Sequence, residues 1–231
     1  GGWYGAHLNE RSVEEEWQAM QNQIELYKLI NSSVFIFADV SGSIQGEPKI
    51  PLSKRPRLKD NEWSDYCNKI SEIAKRLSDI GLPMSYHEHM GTIIQSEQDI
   101  YRLLDNTDDK TSLLFDTGHI FFAEGDYESI LKKYVSRVNH VHCKDIRKEI
   151  LNKSLLNDLS FRDSFLEGVF TVPGDGYINY KPLFETLYDN KYSKWLIVEA
   201  EQDPKKAIPL KYAKIGYKYL NKILTEVGYK I

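Results

Sequence analysis

The chain predicts an α/β fold of the TIM (β/α)8 barrel type, lacking its first two βα units, and three observations carry that reading. Short apolar runs rich in β-formers alternate with amphipathic helical segments, the rhythm of a parallel sheet wound with helices. Acids and histidines cluster at the C-terminal ends of four such runs: Tyr86-His87-Glu88-His89, Asp116-Thr117-Gly118-His119, His140-Val141-His142-Cys143-Lys144-Asp145 and Val198-Glu199-Ala200-Glu201. A barrel opens every strand end onto one face, so separated segments can share one site. Finally, no Gly-rich turn follows the first strand, which an open dinucleotide-binding sheet would show. Six strands can be counted, and two further βα units would account for roughly 60 of the ~250 residues typical of the fold. Residues 1–231 therefore read as one domain holding strands three to eight. Such a barrel has two open edges and a divided core, and is expected to need something covering the gap.

Taken in order, Gly1 to Leu8 looks like the second half of a strand and its loop, with no initiator Met. From Glu10 to Ile30 the apolar residues Val13, Trp17, Met20, Ile24, Leu26, Tyr27 and Ile30 fall at helical spacing, and Glu14, Glu15 and Glu16 suit the positive end of the helix dipole. Ser33 to Ala38 is a continuous apolar run, as expected of a strand covered on both faces. The polar loop from Ser41 to Arg57 is long enough to suggest a role in binding. Asn61 to Ile80 is a second amphipathic helix stopped by Gly81, followed by a strand over Leu82 to Tyr86. Further on, helix is expected from Ser96 to Leu104, strand from Thr111 to Phe115, helix from Asp126 to Tyr134 and strand from Val138 to His142. Helix follows from Ile146 to about Leu155, then a long excursion carrying Val172-Pro173-Gly174-Asp175-Gly176. Tyr180 to Asn190 is helical, Trp195 to Val198 a strand, and a last helix runs from beyond Pro204 to about Thr225.

Composition narrows the function. The 34 acidic and 30 basic residues are well mixed and leave a formal net charge of -4, so no basic stripe points to nucleic acid. No apolar run approaches the ~20 residues that span a bilayer, and no leader pattern opens the chain, so a cytoplasmic protein with no membrane partner is expected. Cys67 and Cys143 have no CxxC spacing and read as reduced thiols.

Side chains alternate along a strand, so His87 and His89 share one side and Glu88 takes the other if the strand continues that far; His140 pairs with His142, and Glu199 with Glu201. A site of Asp, His and Glu is of borderline hardness, suited to Mn²⁺, Co²⁺ or Zn²⁺ with positions left for substrate. One strand-end histidine means little; five of the six lie within three residues of a strand end that also bears an acid, which argues for a metal site.

Together with Tyr86-His87-Glu88-His89-Met90-Gly91-Thr92, Gly168-Val169-Phe170-Thr171-Val172-Pro173-Gly174-Asp175-Gly176 and Val198-Glu199-Ala200-Glu201-Gln202-Asp203-Pro204, these motifs resemble the inosose dehydratases of myo-inositol catabolism, a branch of the xylose-isomerase-like barrels. The resemblance covers essentially the whole chain. It implies one metal ligand from each of the last four strands, which fall at His87, Asp116, His142 and Glu199. His87 departs from the Glu that most relatives carry there, and Glu88 ranks below both neighbouring histidines as a substitute. The implied reaction is loss of water from 2-keto-myo-inositol (scyllo-inosose), a small polyol ketone, giving a trihydroxycyclohexane-1,2-dione. Its hard step is removal of a proton α to a ketone. His89 is the first candidate base and Glu201 the second, with Lys144 at the developing oxyanion and His119 protonating the departing hydroxyl. Manganese or cobalt is the implied metal, with zinc next, and glutathione enters by family resemblance alone. Assembly as a homo-oligomer is compatible with all of this. The competing readings are a metal-dependent keto-polyol isomerase or epimerase and a truncated, inactive binding module. A DNA-repair endonuclease on the same barrel would need more metal ligands and a basic face.

Overall fold

A computed structural model describes residues 2–230. It contains eight strands, β1 (Trp3–Ala6), β2 (Phe35–Asp39), β3 (Met84–His87), β4 (Ser112–Asp116), β5 (Val138–Cys143), β6 (Asp145–Ile146), β7 (Phe170–Thr171) and β8 (Leu196–Val198). Six of them form one parallel sheet in the order β1-β2-β3-β4-β5-β8, and β6 and β7 pair antiparallel as a separate ribbon. Among the described residues β1 and β8 make no pair, so the wall stays open between them. Ten helices wrap the sheet: α1 (Val13–Ala19), α2 (Gln21–Leu29), α3 (Trp63–Asp79), α4 (Glu97–Asp105), α5 (Thr117–Phe122), α6 (Tyr127–Tyr134), α7 (Lys148–Leu156), α8 (Phe161–Glu167), α9 (Tyr180–Asp189) and α10 (Pro209–Val227). None is long and apolar enough to cross a membrane. Both cysteines are free and buried.

The register explains what each face of the sheet carries. Phe37, Tyr86 and Leu113 are neighbours across β2, β3 and β4, and they point outward into the large core shared with the helices. One residue further, His87, Leu114 and His140 lie side by side and point inward; beyond them Asp116 pairs with His142. Because side chains alternate, every outward apolar residue is followed by an inward one available for chemistry. Val34, Ile36 and Leu114 form a small apolar cluster separate from the large core.

The expected elements are present, with differences at three places. The helix expected over 10–30 starts at Val13, where Ser12 and Glu15 form a reciprocal cap, and is divided at Met20. Met20 closes the first helix by donating from its N to Glu16 O, and opens the second by accepting at its O from Ile24 N. Thr117 to Phe122 is helix from the first residue after β4, because the Asp116 carboxylate caps it. The excursion before Tyr180 is also more ordered than its sequence suggests. Ser160 and Asp163 cap α8, Gly168 ends it in the left-handed conformation (φ 97°), and β7 follows. Of the N-terminal strand remnant, Trp3–Ala6 is strand and Gly1 lies outside the described residues.

Candidate metal centre

The centre is assembled from strand ends, and each supporting residue has a definite task. Asp116 uses one oxygen, Oδ1, to cap α5 by accepting from Gly118 N (2.9 Å) and His119 N (3.0 Å), which leaves Oδ2 facing inward. Capping thereby fixes the carboxylate's rotation. Gly118 is required for a different reason: a Cβ there would lie 2.5 Å from Lys144 Cγ, so this glycine makes the channel through which Lys144 reaches the site. Thr117 Oγ1 holds the end of β5 by donating to Lys144 O (2.7 Å), and it also lies 3.1 Å from Lys144 N.

The turn bearing His89 is braced from outside. Thr92 Oγ1 donates to His89 O (2.8 Å), and Gly91 takes φ 79° where a side chain would strike the backbone of Gln45 in the long loop. Arg55 pins that loop by donating to Ile93 O (2.8 Å) and pairing with Asp99 at 2.6 Å. On the opposite side Asp145 accepts from Ile146 N (2.8 Å), Gly174 N (3.2 Å) and Ile178 N (2.9 Å), tying the Pro173–Gly176 turn to the end of β5.

All eight residues singled out for chemistry come together. Ligand atoms of His87, Asp116 and His142 lie within 4.8 Å of one another. His142 Nδ1 is 3.4 Å from Asp116 Oδ2 and 4.0 Å from Glu199 Oε2. Around them, Lys144 Nζ is 2.7 Å from Glu199 Oε2, 2.8 Å from Glu201 Oε2, 2.7 Å from His119 Nε2 and 3.3 Å from Asp116 Oδ2. His89 Nδ1 donates to Met90 O at 2.9 Å, and its Nε2 is 3.4 Å from Glu201 Oε1. Glu88 does not turn away as strand alternation predicts. Regular strand ends at His87, and the Glu88 carboxylate is fully buried 3.8 Å from His87 Nδ1 with neither oxygen hydrogen-bonded.

Four inward atoms test whether a cation fits: His87 Nδ1, Asp116 Oδ2, His142 Nδ1 and Glu199 Oε2 are all buried, and none makes a well-aligned hydrogen bond, although Lys144 Nζ stands 2.7 Å from Glu199 Oε2. Buried acceptors are normally satisfied, and leaving one bare costs ~1–3 kcal/mol. Two imidazole nitrogens and a carboxylate oxygen within 4.8 Å of one another, with Glu199 Oε2 4.0 Å from His142 Nδ1, form a donor set for a divalent ion.

Charge is redistributed accordingly. Burial pushes the Lys144 ammonium down, but Asp116, Glu199 and Glu201 outweigh it, so Lys144 is held well above its ordinary value and stays charged. Burial raises Glu201, and Lys144 and His89 more than reverse this, bringing its carboxyl down to about 2. Burial raises Asp116 too; Lys144 and His142 outweigh it and leave this carboxyl below its ordinary value. Glu199 is raised, with burial ahead of the opposing pull of Lys144. His119 is pushed well below its ordinary value by burial, then by His89 and Lys144, so it is neutral and accepts from Lys144.

A cleft of about 950 Å³ opens over these groups and runs down the gap between β1 and β8. Tyr4, Gln45, Phe161 and Phe165 line it beside the ionisable residues. Gln45 belongs to the loop expected to take part in binding; the sequence reading missed Tyr4, Phe161 and Phe165. The Ser160-x-x-Asp163 capping pattern was the available signal for Phe161 and Phe165, since it starts a helix inside the excursion.

A parallel sheet whose strand ends converge on an acid and histidine cluster defines a class, and the chain belongs to it: residues 1–223 match the xylose isomerase-like TIM barrel family. Within that class it is an enzyme of the inosose dehydratase family. It is 38% identical over 228 residues to the inosose dehydratase of Lactiplantibacillus plantarum, covering 98% of this chain and 76% of the relative. It is 39% identical over 230 residues to the rhizopine catabolism protein MocC of Rhizobium meliloti, covering 100% and 71% respectively. Among solved structures, the IOLI protein crystallised with a zinc atom is similar in fold, with a TM-score of 0.70 at 13% identity over 97% of this chain and 76% of that one.

Proposed function

We propose that this chain removes water from 2-keto-myo-inositol to give a trihydroxycyclohexane-1,2-dione, with a divalent ion held by His87, Asp116, His142 and Glu199. The observation that carries the reading is the set of four buried inward donor atoms, found in a chain whose relatives include several named inosose dehydratase. The mixed nitrogen and oxygen donors favour Mn²⁺ or Co²⁺, with Zn²⁺ as the alternative. When bound, such an ion supplies Lewis-acid polarisation of the ketone and its neighbouring hydroxyl.

The chain's own residues handle the protons. His89 donates through Nδ1 to Met90 O, so in the neutral ring the lone pair is on Nε2, which takes the α proton. Glu201, 3.4 Å away, stabilises the imidazolium that results. Lys144 remains cationic throughout and offsets the negative charge that develops on the substrate oxygens. His119 has its Nε2 engaged by Lys144 and is neutral, so it orients the lysine rather than protonating the leaving group. The departing β-hydroxyl instead receives the proton that His89 took. One water leaves per turnover, and no redox partner is needed.

The test uses the full chain, stripped with a chelator and reloaded with Mn²⁺, with and without glutathione, and follows the ultraviolet absorbance of the dione. Metal-dependent loss of inosose is expected. His89→Ala should retain the metal and lose about 10²–10⁴-fold in kcat. Bound metal with inosose recovered unchanged, or returned as an epimer, would overturn the proposal.

A further inference from the structure

Lys144 is buried to 1% exposure, yet its ammonium is within 3.3 Å of three carboxylates. Two of the oxygens it approaches, Asp116 Oδ2 and Glu199 Oε2, are among those assigned to the metal. Lys144 Nζ is 2.7 Å from Glu199 Oε2 and 3.3 Å from Asp116 Oδ2, so its charge bears directly on both ligand oxygens. The same ammonium donates to Glu201 at 2.8 Å and contacts His119 Nε2 at 2.7 Å.

The side chain is also confined. Its stem fills the channel that Gly118 leaves open, and the Phe170 ring lies 4.8 Å from Nζ. It cannot leave the carboxylates by swinging into water. Two buried carboxylate oxygens need a cation nearby, and a cation fixed on the chain balances them before any ion arrives.

We infer that Lys144 is a built-in counter-ion: it neutralises Asp116 and Glu199 in the metal-free enzyme, competes with the divalent ion for them, and so weakens metal binding. When the ion takes those two oxygens, the ammonium keeps Glu201 and His119, the contacts already directed at it. The trade gives an exchangeable metal in a site that holds its shape without one. The inference rests on the metal-dependent reading above and adds a second role for a residue placed there at the substrate.

Metal affinity, not turnover, tests it. Mn²⁺ is titrated into the metal-free full chain against a chromophoric chelator, for wild type, Lys144→Met and Lys144→Gln, and each protein is melted with and without Mn²⁺. Methionine keeps the length of the stem without charge; glutamine keeps a donor for Glu201 and His119. Both variants should bind Mn²⁺ at least tenfold more tightly than wild type. Their metal-free forms should melt several degrees lower, and Mn²⁺ should raise their Tm by more than it raises the wild type's. Wild-type binding with equal or weaker binding in the folded variants overturns the counter-ion alone. No binding of Mn²⁺, Co²⁺ or Zn²⁺ by any of the three overturns both the counter-ion and the metal centre. If Lys144→Met does not fold, Lys144→Gln decides.

Discussion

The two faces of the central sheet differ in what they are built to do. Outward, Phe35, Phe37, Met84, Tyr86, Leu113, Phe115 and Val141 are packed against helices in one large core. Inward, three residues, Val34, Ile36 and Leu114, form a small apolar cluster, and the positions around and above it are ionisable. Hydrophobic burial scales with apolar area, so stability is concentrated outside the barrel wall. The inner face gives up that stabilisation to hold buried nitrogen and oxygen atoms near one another. A single period-two alternation thus separates folding from chemistry, and substitutions one residue apart should have opposite signatures.

The sharpest break in that comparison comes from Asp116 and Leu113, on opposite faces of β4. Asp116→Ala removes a ligand oxygen and the cap of α5, and should abolish stoichiometric Mn²⁺ binding and lower kcat/KM about a thousandfold, roughly 4 kcal/mol of transition-state stabilisation. Full activity in the metal-loaded variant would show that the inner face is not organised around Asp116. On the other face, Leu113→Ala should cost about 2–5 kcal/mol in denaturant unfolding while kcat falls less than threefold. Ile197 lies inward beside His142 on the partly exposed edge strand β8, and Ile197→Ala should cost only about 1 kcal/mol. If both truncations destabilised equally, the assignment of stability to the outer face would fail.

Much of this division is legible in the sequence because both faces follow one period. The apolar runs announce the strands, and the acids and histidines at their ends announce the open mouth. Two features were not legible. The division at Met20 adds or removes no residue from the apolar pattern, so the spacing of Val13, Trp17 and Ile24 reads as one helix across it. Alternation turns Glu88 away only if the strand continues through it, and the sequence does not show that β3 stops at His87. What a carboxylate does one residue past a strand end depends on the turn, which here is set by Gly91, Thr92 and the packing of Gln45.

Glu88 gives the smallest and most delicate test. Burial, with the Asp116 charge adding to it, pushes its carboxyl well above the ordinary 4.5, against a weaker opposing pull from the backbone of Glu88 and Asp116 and from Lys144. A folded-state value above the unfolded one means the native protein binds the proton more tightly. The stability contributed by Glu88 is then fully present below about pH 4.5 and is lost as pH rises toward the folded-state value. Glu88→Gln, which resembles the protonated form, should unfold like wild type near pH 4 and be more stable at pH 7, by about 1–2 kcal/mol. It lies beside a proposed ligand, so the comparison is made on metal-free protein, by urea unfolding at both pH values. A variant less stable than wild type at pH 7 would mean that the charge on Glu88 is wanted. The inner face would then carry a fifth working acid, where the comparison of faces gives it a buried cost.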